Sequence, residues 1–187
     1  ENHEIEFEEH IITENADGAY SVYAEDLDGD GDMDVLSASS VDDKISWYEN
    51  DGSENFTKHN ITTSAHGAYS VYAVDVDGDG NMDVLSASMN DHTIAWYEND
   101  GAADPTWTAA DIATSADNAY SVFAADMDGD GDMDIVSASS HDDTIAWYEN
   151  QGGWSGDYSN HDELMDAINK GYVTATKSAS SESDCSE

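Results

Sequence analysis

Three stretches of this chain carry aspartates at alternate positions with glycines between them: Asp26-Leu-Asp-Gly-Asp-Gly-Asp-Met-Asp34, Asp75-Val-Asp-Gly-Asp-Gly-Asn-Met-Asp83 and Asp126-Met-Asp-Gly-Asp-Gly-Asp-Met-Asp134. Holding several carboxylates this close costs on the order of 4 kcal/mol per pair at 4 Å and an effective dielectric near 20, so a cation is expected among them. Calcium takes six to eight hard oxygen ligands, which alternate residues of a tight loop can direct at one centre. The spacing predicts side-chain ligands at positions one, three, five and nine and a backbone carbonyl at seven. In the first loop these are Asp26, Asp28, Asp30 and Asp34 with the carbonyl of Asp32. The second offers Asp75, Asp77, Asp79 and Asp83 with the carbonyl of Asn81, and the third Asp126, Asp128, Asp130 and Asp134 with that of Asp132. Gly31, Gly80 and Gly131 sit at position six, where such a loop turns sharply. About three Ca2+ ions are expected, one per loop.

A helix-loop-helix calcium switch does not fit these loops. Its twelfth position requires a bidentate Glu, and Ser37, Ser86 and Ser137 stand there, followed by strand-forming residues. The loops are therefore placed between β-strands.

The elements that must hold the loops are themselves repeated. Gly18-Ala-Tyr-Ser-Val-Tyr-Ala returns 49 residues later from Gly67 and, as Asn118-Ala-Tyr-Ser-Val-Phe-Ala, after a further 51. Each unit runs through its acidic loop into an apolar segment, a polar turn and a Trp-Tyr-Glu-Asn segment. Tyr20–Ala24, Asp34–Ser39 and Lys44–Glu49 read as strands, rich in β-branched and aromatic residues between Gly, Asp and Asn clusters. A weaker fourth strand is expected over 55–63 and 106–114, and Glu4–Thr13 resembles that fourth strand without the three that precede it. Four strands per unit of about 50 residues is the count of a propeller blade. Apolar residues on both faces, as in Val35 with Leu36, suit a sheet packed between two others, and Trp47, Trp96 and Trp147 are expected in the blade-to-blade core.

The fold class expected is thus all-β, with four-stranded, β-propeller-like blades in about three repeats cut out of phase, followed by a short C-terminal helix and tail. The organisation is an outer strand of an incomplete blade in 1–17, repeats in 18–66, 67–117 and 118–153, and an extension in 154–187. Within that extension His161–Lys170 has helical spacing, Tyr172–Thr176 reads as a lone strand, and a Ser-rich acidic tract ends in the one cysteine, Cys185.

The loop between two strands, the apolar strand after it and the Trp-Tyr-Glu-Asn strand together resemble the FG-GAP and VCBS repeats of integrin α-subunit propellers and many secreted bacterial proteins. The likeness covers residues 4–150. It implies that each loop joins the first two strands of a blade and that calcium braces the propeller rim. The Phe-Gly and Gly-Ala-Pro elements that name the family are absent, so the resemblance carries over the metal ligands and the blade and no partner surface.

Charge narrows the function. Among 187 residues, 43 are Asp or Glu and only four are basic, all lysine, giving a formal charge of −39. Such a surface repels nucleic acid and anionic lipid, and no apolar run is long enough for membrane insertion. No nucleophile elbow, phosphate loop, zinc-binding His pair or arginine clamp is present, and the seven histidines are scattered. Weak multi-carboxylate calcium sites belong to millimolar calcium, which implies a secreted, extracellular or cell-surface protein. The expectation is a non-enzymatic scaffold for adhesion or self-assembly. Three blades do not close a ring, so its partners would be further copies in a ring or filament, with Glu4–Thr13 of one copy completing the third blade of the next. The second reading is a glycan-binding module using Trp107 and Trp154; an accessory propeller fragment of a larger secreted enzyme is a third.

Overall fold

The computed structural model describes residues 4–152, of which 4–150 belong to one compact unit. The expected helix at His161–Lys170, the strand at Tyr172–Thr176, the acidic tail, Trp154 and Cys185 lie outside the described residues.

Among the described residues eleven strands form three antiparallel meanders, one per repeat. Blade 1 is β1 (Ala19–Glu25), β2 (Asp34–Ser39), β3 (Lys44–Asn50) and β4 (Phe56–Thr62). Blade 2 is β5 (Ala68–Val74), β6 (Asp83–Ser88), β7 (Thr93–Asn99) and β8 (Trp107–Ala113). Blade 3 is β9 (Ala119–Ala125), β10 (Asp134–Ser139) and β11 (Thr144–Tyr148). Sequence neighbours are sheet neighbours throughout, as short polar turns between successive strands require. The registers repeat as well: Leu36 faces Tyr23 and Trp47 in blade 1, and Leu85 faces Tyr72 and Trp96 in blade 2.

Two cores hold the blades together, and strand alternation decides what enters each. Leu36, Ala38, Ile45 and Trp47 leave one face of blade 1 and pack on Val71, Ala73, Val84 and Tyr97 of blade 2. The opposite face of blade 2 presents Leu85, Ala87 and Ile94 to Val122, Ala124 and Ile135 of blade 3. Both faces of the middle sheet are therefore apolar, which is why its strands lack the polar alternation of a half-solvated sheet. Each fully buried Leu or Ile contributes about 1.5–3 kcal/mol. Small residues such as Ala68, Ser86 and Ala119 keep the sheets close. Along the inner strands, aromatic rows cross from blade to blade: Tyr20, Tyr69 and Tyr120 have centroids 4.1 and 5.0 Å apart, and Tyr23, Tyr72 and Phe123 are 4.8 and 4.7 Å apart.

Two expectations are corrected. Glu4–Thr13 is not a strand: residues 9–13 lie over the outer face of blade 1 without a sheet partner, because a fourth strand forms only against a third, and no described strand precedes it. Trp147 is not in a core. Trp47 is 1% exposed and Trp96 packs on the second core, whereas Trp147 is 47% exposed because no further blade covers it among the described residues. β11 is correspondingly shorter than β3 and β7 and has no fourth strand among the described residues.

Candidate metal centre

Each aspartate loop joins the first two strands of its blade: β1 to β2, β5 to β6 and β9 to β10. The first aspartate organises the turn. Asp26 accepts the Gly29 and Gly31 N–H groups at 2.9 and 3.0 Å, Asp75 those of Gly78 and Gly80, and Asp126 those of Gly129 and Gly131. Gly31, Gly80 and Gly131 adopt φ of 98°, 94° and 101°, in left-handed territory that glycine enters without strain.

The ninth aspartate ties the loop to the sheet. Asp34 accepts the Leu27 N–H on one oxygen at 3.1 Å and the Asn50 N–H at the end of β3 on the other at 2.8 Å. Asp83 does the same for Val76 and Asn99, and Asp134 for Met127 and Asn150. All three are buried. Burial pushes Asp83 up to about 6 against the pull of its two N–H donors, and raises Asp34 and Asp28 in the same direction. Neither lysine among the described residues offers compensation there, since Lys44 pairs with Asp42 and Lys58 lies over Tyr48.

Of the five ligands expected per loop, the structure gathers three carboxylates. Oxygens of Asp26, Asp28 and Asp34 lie within 4.8 Å of one another, as do those of Asp75, Asp77 and Asp83 and those of Asp126, Asp128 and Asp134. Ligand oxygens at 2.3–2.6 Å on opposite sides of one calcium ion are separated by about that distance, so the donor set fits a hard cation of this size. The fifth-position carboxylates lie outside that grouping and turn inward: Asp30, Asp79 and Asp130 accept the N–H of Asp32, Asn81 and Asp132 at 2.8–3.0 Å. The fifth-position side chains and the seventh-position carbonyls are the further oxygens of the loop. All of these donors are oxygen, with no thiol or imidazole, which suits calcium and not a soft metal.

The repeat is a family feature. FG-GAP-like repeats match over residues 26–86 and 75–137, spanning all three loops. The chain belongs to the FG-GAP-like repeat family. No curated protein matches it. In this FG-GAP chain the family's loop and blade are present, including the placement of each loop between the first two strands.

Reading the sequence missed the asparagine that ends each Trp-Tyr-Glu-Asn segment. Asn99 Nδ2 donates both to the Met82 carbonyl of its own blade, at 3.0 Å, and to the Leu27 carbonyl in the first loop, at 2.8 Å. Asn150 bridges Met133 and Val76 in the same way. The signal was available, because the same asparagine recurs in all three repeats beside aromatic residues it does not resemble. The histidines are less scattered than the sequence suggests. His66 pairs with Asp43 at 3.0 Å, and His92 and His141 both approach Asp117, at 3.1 and 3.2 Å, where connections between blades meet the turns between second and third strands. Trp107 is partly buried against the first core.

Proposed function

We propose that this FG-GAP chain is a non-enzymatic, calcium-braced scaffold of the extracellular space, serving adhesion or self-assembly. In this reading residues 4–13 of one copy supply the outer strand that blade 3 of its neighbour lacks among the described residues. The observation that carries it is the threefold carboxylate cluster whose buried aspartate is bonded to both the loop and the end of the third strand. A cation held there fixes three parts of a blade at once. FG-GAP repeats are typical of extracellular proteins, where millimolar calcium fills sites of this charge and openness. The clusters also suit a structural role, since the most buried carboxylate of each accepts two backbone N–H groups that tie the loop to the sheet.

The test is thermal unfolding in calcium and in a chelator. Calcium at about 100 times its dissociation constant adds about 2.7 kcal/mol per site, which raises the melting temperature by several degrees. Unchanged melting on calcium addition sinks the reading, as does turnover of a glycan or phosphoester substrate abolished by substitution of a cluster aspartate.

A further inference from the structure

Blade 1 carries a hollow of about 340 Å³ on the face turned away from blade 2, with Ile12, Ala16, Val22, Val35, Ser37 and Tyr48 among its walls. Their counterparts one repeat later are Ile61, Ala65, Val71, Val84, Ser86 and Tyr97. Five of those counterparts, all but Ser86, belong to or pack against the first core, which Leu36, Ile45 and Trp47 of blade 1 fill. The hollow is thus a blade-to-blade core with one side missing. Its polar groups say the same: Ser86 Oγ meets Tyr97 OH at 3.4 Å, whereas Ser37 Oγ and Tyr48 OH are buried with no hydrogen-bond partner. At the other end of the unit, blade 3 exposes the matching filler, with Ile145 76% and Trp147 47% exposed.

We propose that the hollow on blade 1 receives the Ile145 and Trp147 face of blade 3 from a second copy, so that chains stack head to tail by the step that relates blades within one chain. This rests on the scaffold reading above and names its junction.

The bonds across the two internal junctions define what the new one contains. At the first, Ser21 Oγ accepts the Val71 N–H at 3.3 Å, the Asp43 carbonyl accepts that of Ala65 at 3.1 Å, and the Leu27 carbonyl accepts Asn99 Nδ2 at 2.8 Å. The second repeats them with Ser70 and Val122, His92 and Ala116, and Val76 and Asn150. Continued by one step, Ser121 Oγ, the Asp143 carbonyl and the Met127 carbonyl of one copy accept from Val22, Ala16 and Asn50 of the next. The aromatic rows continue too, because Tyr120 and Phe123 at one end and Tyr20 at the other are about half exposed. Residues 9–13 already lie beside blade 1 where Ile61 and its neighbours lie beside blade 2, which brings them to the edge of β11, unpaired among the described residues, in the copy below. A formal charge of −39 on each chain opposes the contact, so assembly strengthens as calcium or salt screens it.

The experiment is sedimentation in millimolar calcium of the full chain, of Val22→Glu, of Ile145→Lys and of their equimolar mixture. Both positions are largely exposed, at 70% and 76%, so the variants fold, which their melting curves check. Wild type sediments as oligomers, each variant alone as a monomer, and the mixture as a heterodimer and nothing larger. The pairing arises because Val22→Glu keeps its blade 3 face and Ile145→Lys keeps its blade 1 hollow. A wild-type monomer at every concentration overturns the junction, as does a Val22→Glu homodimer, which means that copies meet through like faces. If such a monomer still melts higher in calcium, the scaffold reading survives and only the junction fails; if calcium does not move the melt, it is the scaffold reading that fails.

Discussion

Asn99 reaches out of blade 2 to the Leu27 carbonyl in the first aspartate loop, and its own backbone N–H is held by Asp83 of the second. One residue therefore couples two candidate metal loops, and blade packing and loop geometry share a hydrogen-bond chain. Asn99 is 1% exposed, so deleting its amide leaves two carbonyls with a lost donor in a dry site. Asn99→Ala is expected to cost about 1–3 kcal/mol in denaturant unfolding. Asn50→Ala, which loses the bonds to Met33 and Gly52 but none to another blade, is expected to cost less than half as much.

The glycine at position six separates backbone strain from crowding. A Cβ on Gly80 meets nothing within 4 Å, yet φ is 94°. Gly80→Ala is therefore expected to destabilise by about 1–2 kcal/mol from backbone conformation alone. Because the loop must keep that turn to gather its carboxylates, the loss is larger in calcium than in chelator, which paired melting curves measure.

Asp77→Asn tests whether the clusters are built for charge. Asp77 is exposed and accepts the Asp79 N–H at 3.1 Å, a bond that the Asn oxygen retains. Metal-free stability should change by no more than about 0.5 kcal/mol, as for other surface substitutions. Calcium affinity at that loop should fall on the order of tenfold or more, since ligand charge sets affinity in such sites. Calorimetric titration separates the altered loop from the two intact ones; three unchanged sites would contradict the ligand assignment.

Much of this was legible in the sequence because the chain states it three times. Alternate aspartates, fixed glycines and the Trp-Tyr-Glu-Asn ending located the loops, the strands and the faces they bury. What escaped was set by neighbours in space. Trp147 has the sequence context of Trp47 but, among the described residues, has no blade against it. Residues 7–13 match β4 in pattern but have no third strand to pair with, and period-two alternation cannot show that. The cross-blade role of Asn99 spans 72 residues to Leu27, beyond any local signal.

The His66 and Asp43 pair gives a pH signature independent of metal. Hydrogen bonding and charge attraction from Asp43 raise His66 above its ordinary 6.5, while the Gly67 N–H and then His66 lower Asp43 below 3.8. For His66 the folded value is the higher one, so its contribution is complete below pH 6.5 and fades as pH rises through the folded value. For Asp43 the contribution is present above pH 3.8 and fades as pH falls through the lowered value. An NMR titration should place the His66 midpoint above 6.5 and return it toward that value in Asp43→Asn. The variant keeps an oxygen for the Gly67 N–H, so the turn stays intact.

The tryptophans give the sharpest contrast between one sequence motif in two environments. Trp47 fills the first core at 1% exposed, and Trp47→Ala leaves a cavity between blades that sheets bonded along their length cannot close; about 3–5 kcal/mol is expected. Trp147→Ala, in protein held dilute enough to be monomeric, removes a side chain already half in water and leaves no cavity, so its cost should be well under half as large. Raising the protein concentration in calcium should then widen the effect of Trp147→Ala alone, because a second copy turns its surface into a core. A concentration-independent difference between the two variants would leave Trp147 as an ordinary exposed residue.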